Sequence, residues 1–345
     1  MRSCRLGGSL SLLPLFFFLG GVLAAPPSQL RQVHQFSNPT YLQSLYVRSN
    51  GDILVTSVWP NASIFSVTGA TTSKPNVSLV HEFNNINAVT AIIETQPNVF
   101  AFIGGNQTYL GIGVNGTFGI WELDLRPTLK SNPEKPSIKE LVRIPDGGLL
   151  AAVDALPNSS TTLLVSDSTM GVVWKVDTLA GKYELAIKDK NMPSPPWGAT
   201  QFGVNCIRIH NGYLYWTNSY EATIYRIPIT SSGYPVAGAK SEVVVAVHSI
   251  FLDGFTFGPR GGDSIWAVTN ADNRLVLIKP DGNASFIAGE PNQMTMAGAV
   301  APAFGKLESD TDTLYVVTGG ALVFPINGTV TEGGKVLAFD SRAFQ

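Results

Sequence analysis

The sequence predicts an all-β protein: a six-bladed β-propeller of four-stranded blades, its ring closed by the N-terminal strand. Three observations carry this prediction. A strand-and-turn unit recurs six times along the chain, one outer strand occurs in near copies, and the first and last units are offset.

Each unit opens with an apolar or alternating strand, turns through a polar or Gly-containing hairpin, and continues into a second strand rich in Leu, Val, Tyr and Trp. The first two pairs are Leu42 to Val47 with Asp52 to Ser57, and Val89 to Glu94 with Val99 to Gly104. Leu149 to Ala155 with Thr162 to Ser166, and Val204 to Ile209 with Tyr213 to Thr217, come next. Leu252 to Gly258 with Ser264 to Thr269, and Val300 to Phe304 with Thr313 to Thr318, complete the six. Asn50-Gly51 and Asn211-Gly212 between such strands are strong hairpin signals, because both residues tolerate positive φ. Third strands follow, as in Ser63 to Val67 and Lys335 to Asp340. The fourth strands include the near copies Val33-His34-Gln35-Phe36 and Val80-His81-Glu82-Phe83. One fourth strand precedes the first unit and none follows the last third strand, so the N-terminal strand must pair with the final blade. That closure removes an exposed sheet edge. A large β-sandwich is the competing architecture, and it explains neither the six-fold recurrence nor the offset ends.

Residues 1–24 read as a secretory signal peptide, leaving 25–345 as a single propeller domain. Arg2 and Arg5 precede an apolar run from Leu10 to Leu23 that ends at Ala24 and Ala25, shorter than a membrane span and followed by Pro26 and Pro27. The expected location is the secretory pathway and the cell exterior, with N-glycans on the sequons at Asn61, Asn76, Asn106, Asn115, Asn158, Asn283 and Asn327. Cys4 lies inside the leader, so Cys206 stands alone in the mature chain and reads as a buried, inert thiol. Net charge is -2 and only 14% of residues are charged, without the basic stripe that nucleic acid requires. No later stretch is apolar enough for membrane insertion.

Function is expected at one mouth of the central channel, where the starts of the innermost strands converge. The polar residues placed there are Gln43, Asn87, Asp154, Asn205 and Asp253, while the last blade offers apolar Ala297 to Ala301. Polar groups in otherwise apolar strands read either as a binding site or as partners for the neighbouring blade's backbone. The loops over that mouth carry Tyr41, Trp59, Trp197, Phe202, Tyr220, Phe251, Met294 and Met296, which read as the wall of an apolar pocket or as inter-blade packing. The Pro-rich segment from Asn191 to Gly203 reads as a rigid lid. Of four histidines, His34, His81 and His210 read as structural or solvated, and His248, in the loop before Asp253, as the candidate proton or hydrogen-bond donor. The catalytic candidates are Asn205, His248, Asp253 and Asp154, and the expected partners are small apolar substrates. No cofactor or metal is expected. Gly111 to Gly116 matches a dinucleotide fingerprint by letter only, because no helix follows, and Glu308 to Asp312 lacks the glycine and distal Glu of a calcium loop and reads as a solvated hairpin. Signatures of common hydrolases, metalloproteases, redox proteins and nucleotide binders are missing.

Two family resemblances bear on these residues. Asn205 and Asp253, the latter in Leu252-Asp253-Gly254, resemble two metal ligands of the gluconolactonase and senescence-marker lactonase superfamily, also six-bladed propellers. That family's third ligand, a Glu in blade one, falls on Gln43 here. The second resemblance spans almost the whole mature chain. Val33-His34-Gln35-Phe36, Val47-Arg48-Ser49-Asn50-Gly51, Asn87-Ala88-Val89-Thr90, Val165-Ser166-Asp167-Ser168 and Gly212-Tyr213-Leu214-Tyr215-Trp216-Thr217-Asn218-Ser219 resemble secreted fungal propellers of the hetero-Diels-Alderase-like family. Cys206 departs from that pattern, standing where a Gly is expected. The resemblance implies a cycloaddition between a tropolone-derived o-quinone methide and a humulene-type sesquiterpene alkene, with Asn205, His248 or a nearby Tyr or Trp as hydrogen-bond donor. The alternatives are a metal-dependent lactonase or esterase-type hydrolase, with Asn205 and Asp253 as ligands and Asp154 as base or further ligand, and a non-catalytic propeller that binds a small apolar ligand.

Overall fold

A computed structural model describes residues 29–108, 111–129, 131 and 134–344. The proposed leader at residues 1–24 lies outside the described residues. Among these, 24 strands form six four-stranded antiparallel sheets, and helix is limited to short 3-10 turns such as Met294–Met296. Strand β1 (Leu30–Gln35) comes first, and blade one follows with β2 (Tyr41–Val47), β3 (Ile53–Trp59), β4 (Ser63–Thr68) and β5 (Asn76–Glu82). Blade two holds β6 (Ala88–Gln96), β7 (Val99–Gly105), β8 (Gly119–Asp124) and β9 (Ser137–Arg143), and blade three β10 (Leu150–Ala155), β11 (Thr162–Asp167), β12 (Val172–Asp177) and β13 (Lys182–Lys188). Blade four comprises β14 (Val204–His210), β15 (Tyr213–Asn218), β16 (Thr223–Pro228) and β17 (Glu242–Ala246). Blade five comprises β18 (Leu252–Phe257), β19 (Ile265–Thr269), β20 (Arg274–Ile278) and β21 (Ala284–Ala288), and blade six β22 (Ala299–Phe304), β23 (Thr313–Thr318) and β24 (Lys335–Asp340). Strand β1 pairs with β24, which completes blade six and closes the ring as the offset of the repeat requires.

Burial peaks in the second strand of each blade and falls from there to the outer edge. Second strands are packed on both faces, so β7 is buried along its whole length, while the outer β9 and β13 show an exposed and half-buried alternation. The core lies between blades: Val173, Ile207, Leu214 and Trp216 fill one junction, and Trp266, Leu314, Leu337 and Phe339 another. The junction that closes the ring holds Leu42, Val55, Tyr315 and Val336. In the repeated outer strand each histidine sits edge-on to the phenylalanine two residues on, His34 to Phe36 at 4.8 Å and His81 to Phe83 at 4.6 Å. Asn211 and Gly212 adopt φ of 48° and 79°, the geometry a tight hairpin demands. The segment read as a solvated hairpin contains buried Asp310 instead, which accepts from the Leu307 backbone and from the Tyr315 hydroxyl. A short acidic run gave no sign that one of its members would turn inward to serve two donors.

Candidate functional site

Every innermost strand carries a β-bulge near its start. Pairing with the second strand slips between Leu42 and Ser44, Val89 and Ala91, Leu150 and Ala152, Val204 and Ile207, Leu252 and Phe255, and Ala299 and Ala301. A bulge leaves a residue without a cross-strand partner and re-aims its side chain. Within the slips stand Gln43, Thr90, Ala151, Asn205, Asp253 and Val300, and the first five line a cavity of about 280 Å³ at the channel mouth. Gly254 shares the blade-five bulge because strand β22 passes close by: a Cβ there would lie 2.5 Å from the Val300 carbonyl oxygen.

The polar residues gather in one corner. Asn205 Nδ2 donates to Ser219 Oγ and to Asp253 Oδ1, both at 3.0 Å. Asn270 Nδ2 donates to Asp253 Oδ2 and to the Tyr41 hydroxyl, both at 2.9 Å. A buried carboxylate is thus held between two amides. Burial pushes the Asp253 carboxyl up to about 7, against the opposing pull of hydrogen bonds from Asn270 and Asn205. Burial and then the Asp253 charge also raise the Tyr41 phenol, which stays protonated. Beside them, the Gln43 side chain lines the cavity with no hydrogen-bond partner among the described residues.

The remaining wall is apolar and aromatic. Phe251 is its hub, edge-on to Phe202 at 5.6 Å and to Tyr220 at 5.2 Å, with Phe324 tilted against it at 5.9 Å. Trp59, Val58, Leu149 and Leu322 extend it. The segment from Asn191 to Gly203 contributes Ala199, Thr200 and Phe202, and the Asn218 amide pins its first turn through the Asn191 and Pro193 carbonyls. Thr200 and Tyr220 share a hydroxyl contact of 2.9 Å at the rim.

The structure brings together Tyr41, Gln43, Trp59, Asn87, Phe202, Asn205, Tyr220, Phe251 and Asp253 around this cavity, and leaves five expected residues outside it. Asp154 stands three residues past the bulge at Ala151, further along the channel, where it accepts from the Ile209 and Ala155 backbones. Burial raises its carboxyl, and the Arg208 charge works against the rise. Asn87 precedes its strand, and its amide clamps both backbone groups of Gln107, so its hydrogen bonds shape the loop. His248 is exposed on the β17–β18 loop, and Trp197 is exposed on the outside of its segment. Met296 is buried between blades five and six with Trp266 and Leu337, and Met294 packs on Ala297, Ala321 and Ile326.

Sequence reasoning passed over Asn270, Thr90 and Phe324. A signal for Asn270 existed: one residue beyond the second strand, register aligns Ser168, Ser219, Asn270 and Gly319. The backbone N–H at each of the four bonds the residue before its own innermost strand, reaching Leu149, Gly203, Phe251 and Gly298. Their side chains therefore start from equivalent places on the mouth.

The resemblance to the lactonase superfamily would imply a divalent cation at Asn205 and Asp253. Among the described residues Asp253 is the only carboxylate lining the cavity, both its oxygens are taken by amide N–H groups, and Gln43 stands where the lactonase resemblance would put a second carboxylate. Hard cations seek several oxygen ligands with more than one negative charge. These residues do not fit one.

No family model matches the chain. A protein of Phoma sp that carries the name hetero-Diels-Alderase is 29% identical over 325 residues, covering 87% of this chain and 89% of its own length. Another of that name, from Sarocladium schorii, is 28% identical over 355 residues of alignment, covering 94% of this chain and 87% of its own length. Among solved structures, a luciferin-regenerating enzyme superposes with a TM-score of 0.61 at 13% identity, over 90% of this chain and 94% of its own. The calcium-binding protein regucalcin from Agrobacterium tumefaciens superposes with a TM-score of 0.58 at 14% identity, over 90% and 92%. The chain therefore resembles hetero-Diels-Alderases over most of its length and shares the fold of the regucalcin-type propellers.

Proposed function

We propose that this chain is a cyclase that joins a tropolone-type o-quinone methide to an apolar, humulene-type alkene in the cavity at the channel mouth. The observation that carries the reading is an aromatic-walled cavity with a single polar corner, in a chain similar to two proteins that carry the name hetero-Diels-Alderase. The cycloaddition forms two σ bonds and expels nothing, so it asks for neither nucleophile nor metal. Its barrier falls when two apolar partners are held in a reactive pose, and orientation supplies up to about 7 to 11 kcal/mol in ideal cases. The wall around Phe251 selects apolar surface and keeps water, a competing nucleophile, from the reactive diene.

The test is incubation of the purified protein with quinone-methide precursors and humulene-type alkenes, with and without EDTA, read by chiral chromatography and mass spectrometry. One stereoisomer formed faster than in buffer, unaffected by EDTA, is the expected result. Lactone cleavage that EDTA abolishes would replace this reading with a metal-dependent hydrolase. Ligand binding without turnover would replace it with a carrier.

The reading includes passage through the secretory pathway with N-glycans. Six sequon asparagines, Asn61, Asn76, Asn115, Asn158, Asn283 and Asn327, are exposed. Asn106 is half-buried at the cavity edge, and its Oδ1 accepts from the Asn87 backbone. Peptide mapping after enzymatic deglycosylation is expected to find modified sites among the six and an unmodified Asn106; full occupancy at Asn106 would contradict this.

A further inference from the structure

We infer that Tyr41 is a catalytic residue, the hydrogen-bond donor to the oxygen of the bound heterodiene, and that Asn270 is the positioning residue that keeps the phenol proton available. This rests on the cycloaddition reading and deepens it.

A phenol hydroxyl donates once and accepts through its lone pairs. Asn270 spends its amide protons on Asp253 Oδ2 and on the Tyr41 oxygen, each at 2.9 Å. Above about pH 7 the Asp253 carboxyl is ionised and only accepts, so it keeps the N–H side of the Asn270 amide turned toward it and prevents the carbonyl from taking the phenol proton. Tyr41 is therefore an acceptor within the protein, and no described residue accepts from it. Its ring is buried and lines the cavity, as does Gln43. The one direction left for the phenol proton is the cavity.

That direction suits the chemistry. A nucleophilic alkene attacks the exocyclic carbon of the quinone methide, and electron density moves onto the ring oxygen before its lone pair closes the second bond to the alkene. A donor at that oxygen stabilises the transition state more than the ground state. No proton is transferred: Tyr41 keeps its own, and the hydrogen bond weakens as the ether forms.

The test compares the full-length protein with Tyr41→Phe, which keeps the ring and removes only the hydroxyl, and with Asn270→Leu. Both are expected to lower kcat for adduct formation by about ten-fold to a hundred-fold with KM changed less than about three-fold, the size of one charge-assisted hydrogen bond. Tropolone serves as a spectroscopic probe. Bound to wild type it should ionise at a pH about one unit below that in Tyr41→Phe, read from its absorbance. Adduct formed equally well by wild type and Tyr41→Phe overturns the inference and leaves the cycloaddition reading standing. Without adduct from wild type that reading falls, and equal ionisation of the probe in both proteins then removes Tyr41 as a ligand donor as well. Should Tyr41→Phe not fold, Asn270→Leu with unchanged kcat and unchanged probe ionisation overturns the inference.

Discussion

Raising the pH from about 4 to about 8 is expected to lower the Tm of the wild-type protein by roughly 6 °C more than that of Asp253→Asn. The Asp253 carboxyl rises from an ordinary 3.8 to about 7 in the folded protein, chiefly through burial. Between those values the folded state holds a proton that the unfolded state has released. Stability from this group is thus fully present below about pH 4 and is lost as pH rises through about 7. The shift corresponds to about 4 kcal/mol. Asparagine has the same shape and cannot titrate; its altered fit between Asn205 and Asn270 costs the same at every pH and drops out of the slope. Asp154 and Asp167, which burial also raises, are present in both proteins and cancel in the difference. Parallel Tm curves for the two proteins would mean that Asp253 ionises freely in the folded state, and that water or an ion reaches it.

Gly319→Ala is expected to stop most turnover while changing no polar group. Gly319 occupies the register position that holds Ser219 in blade four and Asn270 in blade five, and its backbone N–H bonds the Gly298 carbonyl. An added Cβ would overlap the edge of the Tyr41 ring. The ring packs in a buried cluster with Val58, Val300 and Leu322 and also lines the cavity. Overpacking of this kind costs about 1 to 3 kcal/mol. A tilt of the ring that relieves the overlap is expected to strain its bond to Asn270 and to move the phenol proton off its line. The expected result is a fall of a few degrees in Tm and a loss of adduct formation at least as large as in Tyr41→Phe. A Gly319→Ala protein with wild-type Tm and wild-type rate would show that the glycine is not needed to seat the ring.

Much of the molecule was legible in the sequence, and particular residues show where legibility ended. Asn50-Gly51 and Asn211-Gly212 announced their hairpins, and the His34 and His81 strands announced a repeated outer edge. Asn205 and Asp253 stood out as polar residues in apolar strands, and both line the cavity. Asp154 had the same signature and faces elsewhere, because the bulge of its strand falls at Ala151, whereas Asn87 lines the cavity from just before its strand with its amide spent on the Gln107 backbone. A slip of one residue exchanges the faces of a strand, and nothing local marks which residue slips. Asn270 shared a repeat position with Ser168 and Ser219, yet its role appears only when Tyr41 is brought beside it.

The sequence by itself determined the strand count, the six-fold division and the closure by β1, since strand alternation and turn chemistry act between near neighbours along the chain. Only the tertiary structure decided which side chains meet. Tyr41 and Asn270 are 229 residues apart, and closing the ring makes them partners around Asp253. The burial that lifts the Asp253 carboxyl is likewise a property of the assembled mouth and of no single blade.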